Sequence, residues 1–289
     1  MDSPAEPLRV AWIGVGAMGL PMALRLKERG IDMSVFDRSP QRMEDAAAHG
    51  LGVAGSAADA VRHAGVVFST VLDDAALLSL VDGPGGLAAS MPHGSLLVEM
   101  STVSPGASSR VAECLRAVGV RYLRAPVSGS VALAEQGTLS VFASGDAHDF
   151  EEARPLLAGL SSNQVHVGPG EAARVLKLAI NMMVVASTSL IGEALAFAER
   201  NGLSRPMVVD ALNASIVGSR HYQSRAESLK TRRYGSNGPL RLVAKDLGLA
   251  LRLAEAQSLT LPIAAHCQAA IDRLIQQGHG DTEVTLLAD

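Results

Sequence analysis

A short apolar run, Leu8 to Ile13, leads directly into Gly14-Val15-Gly16-Ala17-Met18-Gly19 and then into a helical pattern from Ala17 to Arg29. A strand that turns so tightly into a helix is the arrangement that holds the diphosphate of a dinucleotide. The first glycine permits the turn, the second lets the backbone approach the phosphates, and the third lets helix and strand pack closely. The N–H groups and positive dipole end of the helix then face the anion. A second apolar run, Met33 to Phe36, ends at Asp37, twenty-three residues after Gly14. An acid there accepts the ribose hydroxyls of the adenosine. Asp37-Arg38-Ser39-Pro40 also reads as a polar turn capping the next helix. Strand, glycine turn, helix, strand and acid in this order predict a dinucleotide site.

The rest of the first half repeats the alternation. Strand-like runs at Val66–Val71, Ser95–Met100, Val120–Leu123, Leu139–Ala143 and Gln164–Val167 are separated by helical patterns such as Ser104–Ala117 and Ala147–Leu157. This predicts βαβ units and a mostly parallel sheet. After Gly168-Pro169-Gly170 the strand signal stops, and the chain reads as helix with short breaks, beginning with a long pattern from Glu171 to Arg200. The expected fold is therefore α/β, a Rossmann domain over residues 1–168, followed by an all-α domain over residues 169–289, the two joined by the long helix. At 289 residues with 48% hydrophobic content the chain can bury two cores. A net charge of −4 offers no basic surface for nucleic acid. Cys114 and Cys267 lie far apart, predict buried reduced thiols and have no metal-ligand spacing, so no metal site is expected. Met1–Pro7 lacks a charged-then-apolar leader pattern, and the apolar run Leu178–Ile191 is short and broken by Asn181, Ser187, Thr188 and Ser189. These features predict a cytoplasmic protein with no membrane partner.

Lys27, Lys177, Lys230 and Lys245 are the only lysines among 25 basic residues. Lys177 stands among Val175, Leu176, Leu178, Ala179 and Ile180 on the long helix, with Asn181 one turn on, on the same face. A lysine near apolar surroundings can exchange a proton near neutrality, which arginine cannot. A lysine whose stem lies along an amphipathic helix is the plainer alternative; the place just after the domain boundary, where a cleft is expected, favours the first. Two loops follow strand ends. Met100-Ser101-Thr102-Val103-Ser104-Pro105 lies where ligands bind in such sheets, and is also a helix N-cap with proline in the first turn. Ala125-Pro126-Val127-Ser128-Gly129-Ser130 offers small residues and N–H groups to a carboxylate, and is otherwise a turn.

Taken together, the glycine turn with Met18, Ser101-Thr102, Ala-Pro-Val-Ser-Gly followed by Gly137-Thr138-Leu139, the Lys177/Asn181 pair and Lys245-Asp246-Leu247 resemble, in this order and over essentially the whole chain, the β-hydroxyacid dehydrogenase family. Its members include 3-hydroxyisobutyrate dehydrogenase, tartronate semialdehyde reductase and threonate dehydrogenase. The resemblance implies reversible oxidation of a small hydroxy acid by a nicotinamide cofactor, and a helical domain of the 6-phosphogluconate dehydrogenase type that makes a homodimer or homotetramer. By position, Lys177 resembles the catalytic lysine and Asn181 its orienting partner. Ser128 and Gly129 resemble the carboxylate anchor, with Ser101 beside the substrate. Gly14, Gly16, Ala17, Met18, Gly19, Asp37, Arg38, Leu72, Asp73, Thr102 and Lys245 resemble cofactor-contacting positions. Where the family usually has glycine, proline and Asn or His, this chain has Ser130, Asp73 and Ile180.

Asp37 favours NAD, because its charge repels a 2′-phosphate, whereas Arg38 is suited to meet one, so NADP stays open. The polar stretch Val217-Gly218-Ser219-Arg220-His221-Tyr222 is expected to lend Ser219, Arg220 or His221 to the substrate; a solvated helix start is the alternative. Two other readings compete with a hydroxy-acid dehydrogenase: an imine or ketone reductase on the same scaffold, and a dinucleotide-binding module without chemistry. Lys177 counts against both.

Overall fold

The structure, a computed structural model, describes residues 8–289; the segment 1–7, read above for leader patterns, lies outside the described residues. It divides into two compact units, Met1–Lys177 and Leu178–Asp289.

In the first unit six parallel strands, β1 (Val10–Ile13), β2 (Met33–Phe36), β3 (Gly52–Val53), β4 (Val66–Ser69), β5 (Leu96–Glu99) and β6 (Arg121–Arg124), lie in the order β3-β2-β1-β4-β5-β6. The connecting helices are α1 (Gly19–Glu28), α2 (Pro40–Ala48), α3 (Ala57–Val61), α4 (Asp74–Asp82), α5 (Leu87–Ser90) and α6 (Pro105–Ala117). The central strands are continuous apolar runs because helices cover both faces. Period-two alternation sorts their side chains. Val10 and Trp12 join Phe68, Val35 and Val98 in one core, whereas Ala11 and Ile13 join Val67 and Leu97 in the other. Trp12 stacks on Phe68 with ring centroids 4.9 Å apart. The order of the strands reverses direction between β1 and β4, the place where such sheets bind ligands beyond their carboxyl ends.

Beyond β6 the sequence reading needs adjustment. Val127–Ser128, expected as loop, is a two-residue strand β7 paired antiparallel with β8 (Leu139–Ala143), and β9 (Ser161–His166) pairs parallel to β8. This second, three-stranded sheet is separate from the first; α7 (Val131–Glu135) and α8 (Ala147–Leu160) accompany it. Leu139, Val141 and Ala143 bury themselves against α8, so β8 was legible, while the polar Ser162-Asn163-Gln164 hides half of β9. The helix after the glycine turn begins at Gly19 rather than Ala17, because residues 17 and 18 still form the turn. Cys114 is half-buried rather than buried, and Cys267 is buried; both are free thiols.

The long helix α9 (Ala172–Arg200) begins in the first unit and continues into the second. By length and composition it is apolar enough to cross a membrane, its most apolar window having a mean hydropathy of 1.7, because the helix extends well beyond the short, polar-interrupted run Leu178–Ile191. The second unit adds α10 (Arg205–Ala214), α11 (Arg220–Gln223), α12 (Ala226–Thr231), α13 (Leu240–Ala256) and α14 (Pro262–Leu274), with no strand assigned among its residues. A short 3-10 helix, Val284–Ala288, lies so close to α9 that a Cβ on Gly192 would stand 2.6 Å from the Ala288 Cα.

Candidate active site

The three glycines of the turn serve different needs. Gly14 has φ +92°, and a Cβ on it would meet the Thr70 carbonyl oxygen at 2.0 Å. Its N–H donates to the Phe36 carbonyl at 2.8 Å, which ties the turn to the end of β2. A Cβ on Gly19 would stand 1.9 Å from the Gly14 carbonyl oxygen, so α1 packs directly on the turn. Gly16 differs: the atoms nearest its Cβ position belong to the flexible guanidinium of Arg42, at 3.2 Å. Gly14 and Gly19 are thus required for backbone packing, while Gly16 leaves its face free for an anion beside a cation. Ala17 is exposed and Met18 half-buried on the same turn. These residues fit a dinucleotide diphosphate.

Asp37 is buried at the end of β2. Its Oδ1 accepts the Ser39 N–H at 2.9 Å, and its Oδ2 accepts from Arg42 Nη1 at 3.4 Å. Ser39 in turn caps α2, so the acid and the helix start are one local structure. Arg38 is exposed. Arg42 carries no motif, since its role depends on one turn of α2 bringing it back over Asp37 and Gly16.

Two loops at the carboxyl ends of β4 and β5 are bound to each other. Val71 N–H donates to Ser101 Oγ at 2.7 Å, and Ser104 N–H to Asp74 Oδ1 at 2.8 Å. Leu72 is exposed and Thr102 half-buried on these loops. Asp73 caps α4 by accepting from the Ala76 N–H at 2.8 Å. Ser128 is half-buried and pairs with Ser140 across the second sheet. The exposed Gly129 has φ +147°, and a Cβ on it would meet Leu139 Cδ2 at 2.5 Å, which explains a glycine beside Ser128. Lys177 is half-buried on α9, at the end of the first unit.

In the second unit Asn181 Nδ2 donates to Asp246 Oδ2 at 2.7 Å, while Lys245 Nζ lies 3.1 Å from Asp246 Oδ1. Asp246 is buried and gathers Asn181 and Lys245 about one carboxylate. In the sequence Asp246 stands within Lys245-Asp246-Leu247, and nothing local marks it as the partner of an amide 65 residues away. Ser219 is the N-cap of α11 and accepts from the Tyr222 N–H at 3.2 Å. His221 Nε2 is 2.8 Å from Thr188 Oγ1, and burial, aided by Arg225, pushes its pKa down to about 4. Arg220 is exposed. Among the described residues no group of three His, Cys, Asp or Glu side chains is placed to hold a metal.

Comparison with known proteins covers both halves. Residues 9–168 match the family described as the NAD-binding domain of 6-phosphogluconate dehydrogenase, and residues 171–289 match that described as NAD-binding of NADP-dependent 3-hydroxyisobutyrate dehydrogenase. The chain is 34% identical to a 3-hydroxyisobutyrate dehydrogenase of Pseudomonas aeruginosa, over 89% of this chain and 88% of that protein. It is 32% identical to an NAD-dependent L-serine dehydrogenase of the same organism, over 96% of each. Among solved structures, a Mycobacterium tuberculosis 3-hydroxyisobutyrate dehydrogenase with L-serine superposes with a TM-score of 0.88 at 26% identity, covering 97% of this chain and 98% of that one.

Proposed function

This chain belongs to the β-hydroxyacid dehydrogenase family and is an NAD(P)-dependent oxidoreductase of hydroxy acids and their semialdehydes, and from that premise we propose that Lys177 exchanges the proton of the reaction while Ser128 and Gly129 anchor the substrate carboxylate. The observation that carries this reading is one chain holding both the Gly14–Gly19 turn with its buried Asp37 and the Lys177–Asn181 turn of α9.

Gly14, Gly16, Ala17, Met18 and Gly19 hold the cofactor diphosphate. Asp37 and Arg38 would meet the adenosine ribose, Leu72 and Asp73 would lie beside the nicotinamide ribose, and Thr102 and Lys245 would be further cofactor contacts. NAD is the preferred cofactor, because the Asp37 carboxylate disfavours a 2′-phosphate. When bound, the nicotinamide accepts or donates the hydride. In oxidation, neutral Lys177 takes the hydroxyl proton as the C–H bond breaks and the carbonyl forms. In reduction, its ammonium form stabilises the developing alkoxide and then protonates it. Asn181 orients lysine and substrate, its amide held by Asp246. Ser101 stands beside the substrate. One or more of Ser219, Arg220 and His221 would meet polar groups of the substrate; Ser219 also caps a helix, His221 is bonded to Thr188, and Arg220 is exposed. Residues 1–168 would be the cofactor-binding domain and residues 169–289 the helical domain for substrate and oligomerisation.

We further read the protein as a cytoplasmic homo-oligomer. In the second unit Met183, Leu190 and Phe197 are 66%, 63% and 73% exposed along α9. An apolar stripe of this length calls for a cover, and a second copy of the same helix supplies a self-complementary one.

The test is a panel of 3-hydroxyisobutyrate, L-serine, 2-hydroxy-3-oxopropionate, glyoxylate and succinic semialdehyde with NAD(H) and NADP(H). Wild type should turn over at least one, and Lys177→Ala should lose about 10²- to 10⁴-fold in kcat. An inactive wild type, or a variant of equal activity, overturns the reading. Alanine at Arg220 should raise KM with kcat little changed; unaltered kinetics removes Arg220 from the substrate site.

A further inference from the structure

The most deeply buried charges of the first unit belong to neither the cofactor turn nor the proposed chemistry. Glu99, the last residue of β5, is 0% exposed, and Arg174, in the first turn of α9, is 1% exposed. Arg174 Nη2 is bonded to Glu99 Oε2 and donates to the Tyr122 hydroxyl at 3.2 Å. Its Nη1 donates to the Ser101 carbonyl at 2.5 Å and its Nε to Ser108 Oγ at 3.4 Å. Glu99 Oε1 accepts the Ser101 N–H at 2.8 Å. Both backbone polar groups of Ser101 are therefore held by this one ion pair. Through its hydroxyl, Ser101 also holds the Val71 N–H. The first turn of α9 has further ties, from Ala173 N–H to Ser144 Oγ at 3.1 Å and from Arg124 to Glu171.

Taking two charges out of water costs several kcal/mol for each ion, and apolar residues of similar shape commonly serve stability as well. The use of the pair is better sought in what it holds. The pair directly joins the loop after β5 to the helix turn that ends at Lys177, and the loop after β4 is tied in through the Ser101 hydroxyl. Burial opposes the Arg174 charge, but Glu99 and Tyr122 outweigh it and its pKa is raised; burial likewise raises that of Tyr122.

We propose that Glu99 and Arg174 are positioning residues for hydride transfer, locking the Ser101-Thr102 loop and, through Ser101, the Val71-Leu72 loop to the α9 turn that bears Lys177. The proposal rests on the reading of Lys177 as the acid/base. Lys177 follows Arg174 by three residues, roughly 4.5 Å of helix rise, so both side chains are carried by the same turn of α9. A misplacement of about 1 Å at a reacting group costs on the order of 10²-fold.

Arg174→Lys keeps the charge but replaces the planar fork, whose separate nitrogens hold Ser101 and Glu99, by a single ammonium. With the best panel substrate, its kcat should fall at least about tenfold while the substrate KM stays within about threefold. The isotope effect from deuterium at the reacting carbon should grow. Amide hydrogen exchange should quicken together in residues 70–73, 100–104 and 172–178 while β1 and β4 stay protected. A kcat within about twofold of wild type, or exchange rising in only one of the three segments, overturns the proposal. Should Arg174→Lys not fold, the uncharged double variant Glu99→Gln/Arg174→Gln is read in the same way. If Lys177→Ala keeps wild-type kcat, the functional reading fails, and the exchange pattern alone decides whether the pair ties the three segments.

Discussion

Thr70 stands one residue beyond β4, where its hydroxyl accepts the indole N–H of the buried Trp12 at 3.0 Å and donates to the Gly14 carbonyl. The motif around Gly14 was legible because its glycines are contiguous; Thr70 and Arg42 were not, because each earns its place through a partner distant in sequence. Thr70→Val preserves the shape but strands a buried N–H. It should cost roughly 1–3 kcal/mol of stability in urea unfolding and weaken NADH binding in a fluorescence titration, and intact binding would show that the turn stands without it. Asp37 carries the cofactor choice, with Arg38 exposed and Arg42 Nη1 3.4 Å from its carboxylate. In Asp37→Ser the repelling charge is gone and two arginines remain. The kcat/KM ratio of NADP to NAD should rise at least about tenfold, equivalent to 1.4 kcal/mol, and an unchanged ratio would place the discrimination elsewhere.

Single elements show why pattern reading succeeds in some stretches and fails in others. The central strands of the first sheet were legible because both faces are buried and each run is apolar up to its last residue. The strand Val127–Ser128 was not, since two residues give no period to read. The change of character at Gly168–Gly170 is a matter of composition, whereas compactness divides the chain after Lys177. The difference is physical: the first turn of α9 is bound to the first unit by Arg174, Glu171 and Ala173. The helix start at Ser219 was legible as such, but not the bond from His221 to Thr188, 33 residues away. That bond has a pH signature. The folded-state pKa of His221 is about 4, below its ordinary 6.5, so the native state favours the neutral ring. This contribution is fully present above pH 6.5 and is lost as the pH falls toward 4, amounting to about 3 kcal/mol at most. His221→Gln removes the titration. Its urea midpoint should fall less than that of wild type between pH 7 and pH 4.5; parallel curves would mean that His221 titrates as in water.

At the scale of the whole molecule, α9 is where the two compact units share one helix and where the largest apolar side chains face outward. A helix whose apolar window averages a hydropathy of 1.7 has two natural covers, lipid or protein. Its sequence argues for protein: Arg174 and Lys177 open it, Glu193 interrupts its exposed side, and Glu199 and Arg200 close it. In the second unit Met183, Leu190 and Phe197 follow one another at seven-residue steps, the spacing that keeps a stripe on one side of a helix facing a partner helix. A charge in that stripe is tolerated by a solvated face and not by a desolvated one. Leu190→Glu should therefore leave the far-ultraviolet spectrum intact while shifting wild-type oligomer toward monomer in sedimentation velocity, by about 2 kcal/mol or more of lost apolar burial per copy. A wild type that sediments as a monomer at micromolar concentration, or an oligomer indifferent to Leu190→Glu and Phe197→Glu alike, would move the interface off α9 and leave its apolar stripe to some other cover.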